Sequence, residues 1–316
     1  MAQYIANRLL LAVPSLLFVS IVIFSLVRLI PGDAVMARVG ETGYVSPDVL
    51  QQMREELGID KPFVVQYVDW ASKVVRGDLG TSLWTREAVL PTILGRMNVS
   101  LEIAVLAVSW AVILALPVGI ISAVRRNTPI DYTARIFSII GLSAPDFWLA
   151  TILLLVLSKY LGWLPEFGWY SPITAPVQNF QSMVFPALIV GYRLSAVSAR
   201  MTRSAMLEVL REDYIRTARA KGLREFDVVI KHALRNSLIP VITIIGAQLT
   251  GLLGGLVIVE QIFSLPGQGR LLLDAVTHRD YPVVQGSVMV MALIFVVSNL
   301  LIDLSYGVLD PRIRLR

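Results

Sequence analysis

Long apolar blocks recur along this chain, and they constrain its fold more than any other feature of the sequence. A helix that crosses a bilayer needs about 20 consecutive, mostly apolar residues. Two of the blocks contain one charged residue in their interior, Asp146 and Arg193, and the other four contain none. The six blocks are residues 9–27, 103–124, 136–158, 167–200, 237–259 and 281–302. The sequence therefore predicts an all-α polytopic membrane protein with six transmembrane helices.

The overall composition agrees with this class and excludes several others. Hydrophobic residues make up 55% of the chain and charged residues only 16%, whereas soluble domains carry about 25% charged residues. The chain contains no cysteine, so it can form neither a disulfide framework nor a thiolate metal site. Basic loops on one side of a membrane explain the net charge of +5. We therefore expect no nucleic acid partner.

Loop charges predict the orientation of the chain. Residues 200–235, between the fourth and fifth blocks, hold nine Lys or Arg and five Asp or Glu, and the turn after the second block contains Arg125 and Arg126. Short loops rich in Lys and Arg remain in the cytoplasm. We therefore expect a multi-pass protein with both termini in the cytoplasm. The alternative for the first block is a signal peptide, but its apolar core is long and no small-x-small cleavage site follows it.

The segment between the first two blocks is predicted to fold outside the membrane. Its sequence at Ser46-Pro47-Asp48 is typical of a helix start, and residues 62–75 place apolar side chains on one helical face. We expect a small helical extracytoplasmic cap between the first two transmembrane helices. The predicted domains are the N-terminal transmembrane helix, the extracytoplasmic segment and a five-helix core that contains a cytoplasmic loop at 201–240. Their boundaries are 1–30, 31–102 and 103–316.

No residue pattern in the chain indicates catalysis, a metal site or a bound nucleotide. The sequence has no G-x-x-x-x-G-K-[ST] phosphate-binding loop, and the turn at Gly267-Gln268-Gly269 follows no predicted strand. Its two histidines, His232 and His278, have no neighbours at metal-ligand spacing. We therefore expect no catalytic residue, metal or cofactor in this chain, and no enzyme activity of its own.

Charged and small residues within the predicted spans are candidates for a translocation path. A charged side chain is costly inside a bilayer, so it faces the protein interior or an aqueous path. We assign Asp146 and Glu260 as pore candidates, and the alternative for each is a structural pair or an interface anchor. Gly251, Gly254 and Gly255 crowd the fifth span with a G-x-x-x-G pattern. The pattern indicates either a helix that lines a pore or subunit seam, or a helix packed tightly within one subunit.

The cytoplasmic loop is patterned unlike an ordinary membrane connection. Residues 205–221 contain neither glycine nor proline and predict a helix, Gly222 ends it, and a second helix is predicted over 225–236. Two short helices that meet at Gly222 project from the membrane, and small residues before the turn allow another protein to approach closely. The pattern favours a protein-docking site. The alternative is an amphipathic segment whose arginines contact lipid headgroups.

Two motifs in this loop carry a family resemblance. They are Tyr214-Ile-Arg-Thr-Ala-Arg-Ala-Lys-Gly222-Leu and Lys231-His-Ala-Leu-Arg-Asn-Ser-Leu-Ile-Pro240. Together they resemble the EAA loop of ABC importer permeases, in the version found in dipeptide and oligopeptide permeases. Arg216, Thr217 and Ala218 stand where the general pattern has Glu-Ala-Ala, and Leu234 and Arg235 where it has Leu-Pro; both departures fit the peptide branch. Further motifs similar to that branch occur in the same order along nearly the whole chain: Gly77-Asp-Leu-Gly-Thr-Ser82, Pro266-Gly-Gln-Gly-Arg270, Arg279-Asp-Tyr-Pro282 and Leu309-Asp-Pro-Arg-Ile-Arg314.

The resemblance implies a type I ABC importer permease in a bacterial or archaeal inner membrane. Its implied partners are a second homologous permease, two ABC ATPase subunits that bind ATP and Mg, an extracytoplasmic substrate-binding protein and membrane lipid. The implied ATPase-docking residues of the coupling loop are Arg216, Thr217, Ala218, Arg219, Ala220, Lys221, Gly222 and Leu223. The candidates for contact with the binding protein are Gly267, Gln268, Arg270 and Asp280.

The function that this resemblance implies is ATP-driven import of dipeptides or oligopeptides by alternating access. Members of the same branch carry nickel complexes, glutathione or oligosaccharides, and the sequence does not choose among these substrates. A rival from another class is a self-sufficient secondary carrier, which accounts for the six spans but leaves the helix pair at Gly222 without a role.

Overall fold

The computed structural model describes residues 2–29 and 61–309, and these ranges are almost entirely helical. Their one β-bridge joins Thr81 to Ala88. The helices are α1 Ala2–Leu29, α2 Phe63–Val75, α3 Val89–Val124, α4 Pro129–Ser143, α5 Asp146–Leu161, α6 Pro176–Val209, α7 Asp213–Ala220, α8 Glu225–Asp227, α9 Arg235–Gly255, α10 Val257–Ile262, α11 Gln268–Thr277 and α12 Tyr281–Leu309, with a π-helical segment, Val228–Leu234, between α8 and α9.

Four helical runs among the described residues are long and apolar enough to cross a bilayer. They are α3, α6, the continuous run Glu225–Leu252 and the first 22 residues of α12. The count becomes five if α4 and α5, which meet at 106°, form one span. The apolar part of α1, Leu10–Leu26, is shorter than these runs. An all-helical multi-pass membrane protein is confirmed, and the six spans stay a prediction.

The third predicted span, residues 136–158, is not one straight helix. Ala144 and Pro145 have extended backbones, with ψ of 124° and 143°, and they separate α4 from α5. Proline cannot donate a backbone hydrogen bond and disfavours the helical conformation of the preceding residue. The chain therefore turns at Pro145, and Asp146 becomes the first residue of α5, where a carboxylate interacts favourably with the helix dipole.

The chain folds into two compact units. The first contains residues 1–98 and 267–297, and the second contains residues 99–266 and 298–316. The first unit has its own apolar core, which includes Ile93 and Tyr281. The second has two separate cores, one of which lies beside the loop at residues 201–240. The domain boundaries predicted from the sequence stay a prediction.

In the first unit, α2 packs on α1 through aromatic side chains. The ring of Phe24 is buried, and its centroid lies 5.3–5.4 Å from the rings of Phe63, Tyr67 and Trp70. Aromatic pairs at this separation stabilise a helix contact beyond the area that they bury. The helix predicted for residues 62–75 is thereby confirmed. The one predicted to start at Ser46 lies outside the described residues, and the extracytoplasmic cap stays a prediction.

In the second unit, α6 packs against α4, α5 and α9, and glycines bring α3 close to it. A Cβ atom on Gly119 would lie 2.6 Å from Cβ of Thr202, and one on Gly191 would lie 2.7 Å from the carbonyl oxygen of Ala107. Only glycine permits so close an approach of two helices. These two contacts fix α3 against α6 and position the sites described below.

Candidate functional site

The coupling loop is two helical segments joined by a glycine turn, as the sequence predicts, but the first segment starts later than expected. Residues 205–221 do not form one helix: α6 ends at Val209, residues 210–212 form a turn, and α7 begins at Asp213. Tertiary packing causes this break, because the turn directs α7 so that Ile215 and Ala218 are buried against the base of the loop. No glycine or proline signals it in the sequence.

The base of the coupling loop is an apolar cluster. Ile215 and Ala218 of α7 pack with Met206 of α6, and with Val228 and Ala233 of the π-helical segment. The other seven of the eight predicted docking residues, from Arg216 to Leu223, are exposed. Ala218 therefore packs α7 onto the apolar cluster, while the side chains next to it in the sequence are exposed.

The turn between α7 and α8 is held in one conformation by its backbone and by an ion pair. Gly222 has a φ of +76°, a region that residues with a side chain rarely adopt. Arg219 donates two hydrogen bonds to Glu225, at 2.7 and 3.1 Å. These hydrogen bonds and the charge of Glu225 raise the pKa of Arg219. A further hydrogen bond of 2.7 Å joins the Asn236 amide to the hydroxyl of Tyr214.

A second candidate site is a cavity of about 290 Å³ between α5, α6 and α9. Asp146 and Arg193 form an ion pair across it, with 3.1 Å between Oδ2 and Nη1. The other carboxylate oxygen of Asp146 is buried and has no hydrogen-bond partner among the described residues. Gln248 and Gly251 of α9 line the same cavity. This arrangement leaves one acceptor and part of one guanidinium available to a bound polar group.

The pore candidates from the sequence are only partly brought together here. Gly251 faces open space, because a Cβ on it would meet no atom within 4 Å. The structure therefore does not show tight packing around Gly251. Gly254 and Gly255 end α9, and their surroundings lie outside what the structure describes. Glu260 does not line the cavity: it is buried in α10 and accepts a hydrogen bond of 2.6 Å from Ser100. Its role in a pore stays a prediction.

The candidates for contact with the binding protein lie in the first unit, and most are buried. Gly267, Gln268 and Asp280 are buried, whereas Arg270 is partly exposed. The carboxylate of Asp280 accepts hydrogen bonds from the hydroxyl of Ser82 and from the backbone N–H of residue 83. Asp280 thus fixes the turn before α3. Contact of these four residues with a binding protein stays a prediction.

One ionic cluster was not recognised from the sequence. Asp131, at the start of α4, is fully buried and accepts hydrogen bonds from Arg135 at 2.7 Å and from Arg203 at 2.9 and 3.0 Å. Asp131 also accepts hydrogen bonds from the Ser122 hydroxyl, at 2.5 Å, and from the Asn127 backbone N–H, at 3.0 Å. The spacing of four residues to Arg135 is visible in the sequence, but Arg203 lies 72 positions away and only tertiary folding brings it there.

The described residues also bear on metal binding. No group of three His, Asp or Glu residues within 2–29 and 61–309 is close enough to hold a metal ion. The observed parts are several apolar spans, a projecting loop with a buried apolar base and an intramembrane cavity with an ion pair. Together they define a polytopic membrane protein with a loop of two short helices joined at Gly222.

Comparison with known protein families shows to which family of membrane proteins the chain belongs. Residues 115–315 match the model of the binding-protein-dependent transport system inner membrane component, and residues 1–104 match the N-terminal model of the same membrane component. The chain belongs to this family of inner membrane permeases.

Individual relatives cover the whole chain. It is 42% identical to the dipeptide transport system permease protein DppB of Escherichia coli strain K12, over 99% of each chain. It is 39% identical to DppB of Alkalihalophilus pseudofirmus, over 99% of this chain and 100% of the relative. The glutathione transport system permease protein GsiC of Pectobacterium atrosepticum is 41% identical, over 99% of each chain. Among solved structures, an amino acid ABC transporter with histidines matches 70% of this chain and 94% of its own, with 16% identity and a TM-score of 0.47.

Proposed function

We propose that this chain is a permease subunit of an ATP-driven importer that carries dipeptides or short oligopeptides. The observation that carries the proposal is its similarity along the full length of both chains to a dipeptide permease, at 42% identity. Similarity to a glutathione permease at 41% identity supports glutathione, itself a short peptide, as the second candidate. Substrate selection belongs to a separate binding protein in this proposal, so this chain supplies the path and the coupling.

The proposed assembly contains this chain, a second homologous permease, two ABC ATPase subunits and an extracytoplasmic binding protein. The chain crosses the inner membrane six times, with both termini in the cytoplasm and a helical cap outside. The basic loops after the second and fourth apolar blocks support this orientation. Nucleotide and Mg bind the ATPase partners and not this chain.

In the proposed coupling step, the exposed face of α7 and the turn at Gly222 dock on an ATPase subunit. The buried side chains of Ile215 and Ala218 join α7 to the end of α6 and to the π-helical segment that leads into α9. A displacement of the docked turn is therefore passed to two helices that line the Asp146 cavity. ATP binding biases an equilibrium between two states of the permease, because the docked ATPases have different affinities for ATP in each state.

The proposed translocation path includes the cavity at Asp146 and Arg193. Arg193 lies in α6, which the coupling loop moves, and Asp146 lies in the neighbouring α5. Gly251 leaves the cavity open on the α9 side. A peptide carries an ammonium and a carboxylate, so a path with one group of each charge accommodates its two ends.

The docking proposal is tested with Gly222→Glu in the complete importer reconstituted in liposomes. A side chain at φ +76° costs about 1–2 kcal/mol of local strain, and a projecting carboxylate disturbs a closely packed interface. We expect ATP-driven peptide uptake, and the ATPase stimulation by loaded binding protein, to fall at least about tenfold, which corresponds to about 1.4 kcal/mol of lost coupling.

Gly162→Glu is the matched control for this experiment. Gly162 also has a positive φ, +59°, and open space around its Cβ position, but it ends α5 and lies outside the coupling loop. It carries the same kind of strain and we expect it to leave uptake near the wild-type level. Normal uptake by Gly222→Glu contradicts the docking role. Uptake driven by an ion gradient with this chain alone, without ATPase subunits, contradicts the importer proposal and supports a secondary carrier.

A further inference from the structure

A cavity of about 620 Å³ lies between the end of α3 and helices α4 and α6. It is separate from the coupling loop and from the cavity at Asp146. Its volume is in the range of pockets that bind small ligands, about 300–1,000 Å³. The residues that line it include no acidic side chain and four arginines: Arg126, Arg135, Arg200 and Arg203.

The charge around this cavity is not balanced within the part of the chain that the structure describes. Asp131 is the carboxylate that contacts these arginines, and both Arg135 and Arg203 donate to it through Nε and Nη2. One carboxylate against four guanidinium groups leaves three positive charges in excess. The Nη1 groups of Arg135 and Arg203 make no hydrogen bond within residues 2–29 and 61–309. Asp131 therefore holds two guanidinium groups in place without using all their donors.

The other two arginines have no counter-charge among the described residues. The side chains of Arg126 and Arg200 form no ion pair or hydrogen bond with any residue that the structure describes. Arg126 follows α3 and Arg200 is on α6, so they approach the cavity from different helices. Like charges that share a cavity repel each other, and a bound anion relieves this repulsion.

The walls of the cavity are apolar on one side and held in place. Ile139 and Leu142 of α4 line it, and both are exposed on the surface of the chain. Gly119 also lines it, and its close approach to Thr202 fixes α3 against α6. The cavity thus has a cationic end and an apolar side.

We propose that this cavity binds a phosphate group, carried by the headgroup of an anionic phospholipid. Guanidinium groups offer paired N–H donors that match the oxygens of a phosphate, and the apolar side at Ile139 and Leu142 contacts the start of an acyl chain. Basic pockets between transmembrane helices at the cytoplasmic side bind such headgroups. The phosphate chemistry rests on the arginines alone, whereas the lipid as its source also rests on the proposed membrane orientation.

The test measures phosphatidylglycerol bound to the complete importer by native mass spectrometry, in detergent supplemented with phosphatidylcholine. The variant Arg126→Gln/Arg200→Gln removes the two arginines that have no partner and keeps the Asp131 cluster. We expect its affinity for phosphatidylglycerol to fall roughly thirtyfold, since each basic residue near a membrane surface contributes a factor of about five. Binding of phosphatidylcholine is expected to be weak in both proteins.

Arg125→Gln/Arg211→Gln is the matched control, because it removes two arginines that do not line the cavity. We expect it to bind phosphatidylglycerol within about twofold of the wild type. Equal binding by the cavity variant and the wild type overturns the lipid assignment. Thermal unfolding with inorganic phosphate then separates the sources. A rise in unfolding temperature for the wild type but not the cavity variant keeps the phosphate site with free phosphate as ligand, and no rise in either overturns the site.

Discussion

Two aspartates sit in the first turns of α4 and α5, and their surroundings are opposite. Asp131 is fully buried, and both its oxygens accept hydrogen bonds from two arginines, a hydroxyl and a backbone N–H. Asp146 pairs with Arg193, whose side chain is half exposed, and one of its oxygens has no partner among the described residues. At one helix start, both carboxylate oxygens of the aspartate have hydrogen-bond partners. At the other, one oxygen has no partner among the described residues.

The glycines near these aspartates differ in the space around them. Gly119, beside the Asp131 cluster, has no room for a Cβ, whereas Gly251, beside Asp146, faces open space. The Asp131 carboxylate holds helices together because both of its oxygens already have hydrogen-bond partners. An open, unsaturated region leaves groups available to a molecule that passes through. The contrast assigns a structural role to the Asp131 carboxylate itself, and a path role for Asp146 stays a proposal.

The largest expected effect is on stability, from Asp131→Asn. The substitution leaves the largely buried Arg203, 20% exposed, without its counter-charge, whereas Arg135 is 41% exposed. Breaking a buried pair in this way costs up to about 3–5 kcal/mol. We expect a clear drop in the free energy of unfolding, measured by denaturant titration of the purified complex. Asp213→Asn is the control, since its exposed carboxylate contacts Arg216 at 3.3 Å and its loss should not be measurable. A change below about 1 kcal/mol for Asp131→Asn contradicts the structural role.

Next in size is Gly119→Ala, compared with Gly251→Ala. The new methyl group on residue 119 overlaps Thr202, and overpacking of this kind costs about 1–3 kcal/mol. The same change at residue 251 meets no atom within 4 Å, and alanine favours a helix by up to about 1 kcal/mol over glycine. We expect unfolding free energies to change with opposite signs. If both variants are destabilised alike, the two regions do not differ in packing.

Asp146→Asn has the smallest expected effect on stability and a large one on transport. The pair with Arg193 is partly exposed, and such pairs contribute about 1 kcal/mol or less. The variant should therefore unfold like the wild type while peptide uptake by the reconstituted importer falls. The double variant Asp146→Asn/Arg193→Gln removes both charges and leaves two neutral amides. Its uptake stays low if these charges act on the substrate, and recovery of uptake shows instead that the pair is only structural.

Local patterns predicted a good part of the fold and of the coupling loop. The apolar blocks indicated a multi-pass helical protein, and a lone glycine after a helical stretch indicated the turn at Gly222, which the structure confirms with its positive φ. These features depend on residues close together in the chain, whose spacing is visible in the sequence. The sequence did not predict the break before α7, because burial of Ile215 and Ala218 causes it. No glycine or proline lies at the break.

The sequence by itself determined that the chain is a helical membrane protein, which of its loops are basic, and where the glycine turn of the coupling loop lies. Only the tertiary structure decided which charges meet: Asp131 with Arg203, Asp146 with Arg193, and four arginines around one cavity. The reason is physical. Hydrophobic blocks and backbone breaks are set by neighbouring residues, whereas the partner of a buried charge is set by how distant helices pack.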